Sequence, residues 1–195
     1  MKQEFTITAY TENHIGMINR IAIIFSRRKV NIDSINAGPT EVSGIYRFTI
    51  VLTHSEDMVQ KITLQIAKLV EVLRAFYNKD EELVWQEMAM YKVPTKVIAE
   101  QVKVERLLRQ YGANTVVIRN DYTVFETTGH REEIDALANA LAPWGLIEFV
   151  RSARIAIIKA SEGLHQTLLE FEEKHPSKPH FNDEKIGKPN KEFTL

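Results

Sequence analysis

Residues 12–40 read ENHIGMINRIAIIFSRRKVNIDSINAGPT, and the periods inside this stretch decide the fold. Ile18, Ile21, Ala22 and Phe25 recur at i, i+3, i+4 and i+7 with Asn19, Arg20, Ser26 and Arg27 opposite, which predicts a helix over 15–28. Just upstream, EFTITAYT alternates: Phe5, Ile7 and Ala9 point one way and Glu4, Thr6, Thr8 and Tyr10 the other, the period of a strand with one face buried. Downstream, Asn31 to Ala37 returns as a strand. Gly38-Pro39 and Ser43-Gly44 punctuate a turn, and Ile45 to Leu52 is rich in β-branched and aromatic residues. Strand, loop, helix, strand and hairpin strand are thus laid down in some fifty residues.

The pattern continues outward. Ser55 is placed to cap a second helix, Glu56 and Asp57 suit its positive end, and Val59, Ile62, Ile66, Leu69 and Leu73 recur every three or four residues. A strand near Leu73 to Tyr77 completes β-α-β-β-α-β, the ferredoxin-like order with both helices on one face of an antiparallel sheet. After a charged linker, Asn78 to Glu82, the order repeats. Glu87 to Val93 reads as a strand; Val104, Leu107, Leu108 and Tyr111 mark a helix stopped by Gly112. Asn120-Asp121 joins strands Thr115–Arg119 and Tyr122–Thr127, Ile134, Leu137, Ala138 and Leu141 form another helical stripe, and Ile147 to Ile158 is strand-like. The expected class is α+β: two tandem βαββαβ domains over 1–80 and 81–160, then a short helix and a largely disordered or partner-bound tail over 161–195.

Composition removes several functions. There is no cysteine, hence no disulfide or thiolate chemistry, and the six histidines never fall three or four apart on a convincing element, so no metal site is expected. A formal charge of −1 gives no global field for nucleic acid or an anionic membrane. No apolar run approaches the roughly 20 residues of a membrane helix, and the N-terminus is unlike a secretory signal. A cytoplasmic protein is expected. No Gly-rich nucleotide loop, nucleophile elbow or acid/base constellation is present, and Glu81-Glu82 and Glu132-Glu133 read as solvated pairs, so no catalytic residue is assigned.

The loop before the first helix carries the chemistry that remains. Free N–H groups beside a positive helix end can receive a small carboxylate. Gly16 leaves room for close backbone approach, and the Asn13 amide both donates and accepts. The same two residues also fit a plain helix start, with Asn13 as cap and Gly16 as a turn residue.

The full pattern is more specific: Asn13, Gly16, Arg20, Phe25, Ser26, Arg28, Asn31, Ile32, Ser34, Pro39 and Thr40 reproduce N-x-x-G-x-hydrophobic-x-R, F-S-x-R, N-I-x-S and P-T in order. This resembles the opening of the ACT regulatory domain in the small subunits of acetolactate synthase (acetohydroxyacid synthase). VRSARIAII, at 150–158, is similar to the end of their second domain, with alanine at a customary glycine.

The resemblance implies a non-catalytic subunit that activates a large catalytic subunit and confers feedback inhibition in branched-chain amino acid biosynthesis. It implies a homodimer through the ACT domains that binds valine or another branched-chain amino acid. Asn13, His14, Ile15, Gly16 and Met17 would form one wall of that site, and Asn31 and Ile32 of the other copy the facing wall. Thiamine diphosphate, Mg²⁺ and FAD would belong to the large subunit, with no cofactor on this chain. Lys29 stands where many relatives carry glycine, at a helix end expected to need positive φ, and Met17 replaces a common leucine.

Two alternatives remain on the sequence. An ACT sensor could serve a different metabolic enzyme, although the second domain discriminates against it. The same element order belongs to RNA-binding RRM domains, with Tyr46 and Phe48 on a central strand, but the basic-Gly-aromatic start of their motif is lacking.

Overall fold

The computed structural model describes residues 2–161 with Gly163 and Leu164. The expected helix and tail after Ser161 otherwise lie outside the described residues. Among the described residues two compact units are formed: 2–84 with 156–161, Gly163 and Leu164, and 85–155.

In the first unit, β1 (Gln3–Glu12), α1 (Met17–Arg27), β2 (Ser34–Pro39), β3 (Ile45–His54), α2 (Glu56–Ile66) and β4 (Val72–Asn78) follow in the expected order. The sheet runs β2-β3-β1-β4, all antiparallel. Phe5, Ile7 and Ala9 of β1 and Phe48, Ile50 and Leu52 of β3 pack against Met17, Ile21 and Phe25 of α1 and Val59, Ile62 and Ile66 of α2. That face obeys the alternation. The other face does not behave as a solvated surface: Thr6, Thr8, Thr49 and Val51 are buried as well. Alternation of Phe, Ile and Ala with Thr therefore distinguishes two covered faces, since threonine presents a methyl group beside its hydroxyl.

The α1 stripe is also rotated from its expected phase. Met17, Ile21 and Phe25 turn inward, while Ile18 is 56% exposed. Ser55 occupies the N-cap of α2 through its backbone, whose carbonyl accepts from Met58 and Val59 N–H at 3.0 and 3.1 Å. Its hydroxyl makes no capping bond and lies 3.2 Å from His54 Nδ1.

Helix α1 ends in a Schellman turn: Lys29 N–H donates to Ser26 O at 3.0 Å and Val30 N–H to Phe25 O at 3.1 Å. Phe25 and Val30 close it with a core contact. The turn sets Lys29 at φ 54, the one non-glycine with positive φ among the described residues. Holding a side chain there costs about 1 kcal/mol or more. Lys29→Gly is therefore expected to raise stability by about 1 kcal/mol and the melting temperature by roughly 4–8 °C, for a transition confined to a domain of this size. Calorimetry that finds no gain would refute this.

The second unit uses β5 (Leu83–Pro94), α3 (Thr95–Glu100), α4 (Val102–Gln110), β6 (Asn114–Ile118), β7 (Tyr122–Gly129), α5 (Arg131–Leu141) and β8 (Glu148–Arg151). Its sheet runs β6-β7-β5-β8, with β9 (Ile155–Ile158) also on β5. β5 starts four residues before the expected Glu87, directly after a 3₁₀ turn at Asp80–Glu82. Asn120-Asp121 is the expected tight hairpin, closed by Arg119 N–H to Tyr122 O at 2.8 Å.

The run Ile147–Ile158 is divided. Ser152 N–H still reaches Met88 O at 2.8 Å, but Arg154 then turns inward and stacks 3.5 Å above the Trp85 ring. After that break the chain rejoins the first unit, where Lys159 N–H donates to Glu82 O at 3.0 Å and Leu164 packs with Val42, Ile45 and Leu73.

The core of the second unit gathers Ala89, Tyr91, Val93, Phe125, Val104, Leu108, Ile134, Leu137 and Leu141. Burial pushes the Tyr91 hydroxyl up to about 12, and that hydroxyl donates to Ile134 O at 3.0 Å. Beside it, buried Glu87 lies 3.1 Å from Arg131 Nη2 and 3.2 Å from Arg151 Nε; Arg151 also reaches Asp135 at 2.7 Å.

Candidate functional site

The loop between β1 and α1 is fixed at its base by backbone hydrogen bonds. Glu12 N–H donates to Glu71 O and Asn13 N–H to Gly44 O, both at 2.9 Å. From α1, Arg20 pairs with Glu71, whose carboxyl is held below its usual value by its own backbone N–H and then by that guanidinium. Arg20 of the sequence motif thus ties α1 to the turn before β4.

Gly16, not Asn13, is the N-cap of α1, at φ 86. A Cβ there would meet nothing within 4 Å, so within one chain the glycine answers the left-handed backbone rather than crowding. No side chain caps the helix, and neither Ile18 nor Asn19 N–H has an acceptor among the described residues. These donors, with the positive end of α1, are what a small carboxylate requires.

Beside them lies a cavity of about 270 Å³. Asn13, His14, Gly16 and Met17 line it, together with Thr11, Glu12 and Ile18 from the same segment and Ala37, Tyr46 and Phe48 from β2 and β3. Met17, Ile18, Ala37, Tyr46 and Phe48 give it an apolar wall. Ile15 stands outside, 97% exposed. Asn31 and Ile32 do not line this cavity: Asn31 is exposed, and Ile32 packs against the core ahead of β2.

Of the six lining residues absent from the sequence-level site, Ile18 lies on α1 and the other five lie on paired strands. Thr11 lies opposite Tyr46, and Ala37 opposite Phe48. Tyr46 and Phe48 both turn toward the helices and pack on the core, which removes the aromatic display that an RNA-binding sheet would need. Among the described residues no group of three or more His, Cys, Asp or Glu is arranged to hold a metal, and no helix is long and apolar enough to cross a membrane.

The whole described chain has relatives of known family. Residues 7–74 match the AHAS small subunit-like ACT domain, and residues 86–160 match the small subunit of acetolactate synthase. The acetolactate synthase small subunit of Mycobacterium bovis is 30% identical over 159 residues, 82% of this chain and 94% of that protein. That of Bacillus subtilis is 30% identical over 163 residues, 83% and 93%. The crystal structure of the small subunit from Thermotoga maritima superposes with a TM-score of 0.73 at 25% identity, covering 82% of this chain and 99% of that one. With both halves matched and relatives aligned over nearly their full lengths, the chain belongs to the acetolactate synthase small-subunit family.

Proposed function

We propose that this chain is the non-catalytic regulatory subunit of a cytoplasmic acetolactate synthase: it activates the large subunit and conveys feedback inhibition by valine or a close branched-chain relative. The observation that carries the effector class is the cavity itself. It sets open N–H groups of α1 and Asn13, whose amide can both donate and accept, beside an apolar wall, and these complement a carboxylate, an ammonium and an aliphatic side chain. Asn31 and Ile32 of a second copy supply the facing wall in this reading. Ile15 and Ile18, 97% and 56% exposed beside the cavity, give that copy an apolar surface to cover.

Thiamine diphosphate, Mg²⁺ and FAD lie on the large subunit in this reading, and this chain acts by favouring the more active state of its partner. Valine opposes that only by binding the two states with different affinity. The family match over residues 86–160 favours this partner over a different metabolic enzyme. Acetolactate formation should be measured with large subunit alone, this chain alone, and the mixture under a valine titration. The expected result is no turnover by this chain, stimulation in the mixture, and loss of that stimulation with valine. Turnover by this chain alone, or an unchanged rate in the mixture with its cognate large subunit, would overturn the proposal.

A further inference from the structure

The second unit contains a cavity of about 480 Å³ lined by α3, α4, β6 and β7. Sheet registers give the correspondence. Phe48 lies opposite Ala9 and Ala37 in the first sheet, and Phe125 opposite Tyr91 and Thr115 in the second. The helix ends correspond too. Gly112, at φ 62, stands where α1 has Lys29, with Gly112 N–H to Arg109 O at 3.1 Å and Ala113 N–H to Leu108 O at 2.9 Å. Thr115, Thr123 and Phe125 thus stand where Ala37, Tyr46 and Phe48 line the first cavity, but the second cavity extends along α4 to Glu105, Leu108, Arg109 and Ala113, whose counterparts on α1 do not line the first.

Ile98, Ala99, Leu108, Ala113, Ile118 and Phe125 provide an apolar interior. The polar edge is already satisfied, since the Thr95 hydroxyl donates to Arg119 O at 2.6 Å and meets the Thr123 hydroxyl at 2.9 Å. Glu105 and Arg109, one turn apart on α4, also line it and hold each other at 2.6 Å on the surface. An exposed pair of this kind contributes about 0–1 kcal/mol, so opening it for a ligand costs little.

We propose that this cavity is a second amino-acid site, taking an α-amino acid with a bulky apolar side chain. The carboxylate meets Arg109, the ammonium meets Glu105, and the side chain enters the apolar interior. A simple carboxylic acid would set its charge against Glu105, and a simple amine against Arg109; only a zwitterion satisfies both. The apolar interior accommodates a side chain such as that of leucine or phenylalanine. This inference is independent of the effector reading for the first unit.

The test is amide NMR on the full chain titrated with L-leucine and L-phenylalanine, beside 4-methylpentanoate, which lacks the ammonium. Either amino acid should shift Thr115, Ile118 and Thr123. Gly16→Asp should leave those shifts intact, so a failure of the first site does not hide the second. Arg109→Met and Glu105→Gln, both at exposed side chains, should each weaken the binding about tenfold, the value of one charge-assisted contact. 4-Methylpentanoate should bind at least about tenfold more weakly than leucine. Absence of shifts at those residues with both amino acids, unchanged affinity in Arg109→Met and Glu105→Gln, or equal affinity for 4-methylpentanoate would each overturn the proposal.

Discussion

Gly16→Asp is expected to abolish valine binding, by at least about 100-fold, while leaving the chain folded. Folding should survive because a Cβ at this position meets no atom within 4 Å. Aspartate also tolerates positive φ better than most residues, so the strain at φ 86 stays at about 1 kcal/mol. Binding should fail because the new carboxylate sits beside the Ile18 and Asn19 N–H groups and competes for the donors and helix field that the effector carboxylate needs. Losing a charge-assisted contact and adding a like charge together exceed about 2.7 kcal/mol. Gly16→Ala introduces only the backbone strain and is expected to bind within about tenfold of the parent. Undiminished valine binding by calorimetry in Gly16→Asp would remove this site. If the proposed function holds, the same variant still stimulates the large subunit but no longer responds to valine.

Glu87→Ala should be the most damaging substitution in the second unit, lowering its stability by about 3 kcal/mol. Glu87 is 1% exposed and compensates Arg131 and Arg151, which reach it from α5 and β8. Both arginine side chains remain 28% exposed, which keeps the loss at the lower end of the range for a broken buried pair. The melting temperature of this unit should fall by roughly 12–24 °C. Adding Arg131→Met should recover part of the loss, because it removes a charge that has lost its Glu87 contact. A decrease under about 1 kcal/mol, or no recovery in the double variant, would show that Glu87 does not organise these three elements.

Much of this architecture was legible because it is local. The two-residue period of EFTITAYT and the three-to-four-residue period after Gly16 follow from strand and helix geometry. The element order they spell is the one observed. Gly112 marked the end of α4, and Lys29 stood where glycine was expected; both prove to have positive φ, since a Schellman turn demands that backbone whatever the residue. The loop that carries Asn13, His14, Gly16 and Met17 was likewise visible, its spacing being fixed by the start of α1.

Only the tertiary structure decided which faces are covered and which distant residues meet. It buried Thr6 and Thr8, turned Met17 inward and Ile18 outward, and aimed Tyr46 and Phe48 at the helices. It broke the apolar run after Arg151, where Arg154 stacks on Trp85, a partner 69 positions earlier in the chain. It also completed the cavity with Ala37, Tyr46 and Phe48, and opened another cavity in the second unit that no loop motif announces. A sequence period states that a face differs from its opposite. Whether the chain then covers that face, and with what, is set by strand pairing and long-range packing between residues that are not neighbours in the sequence.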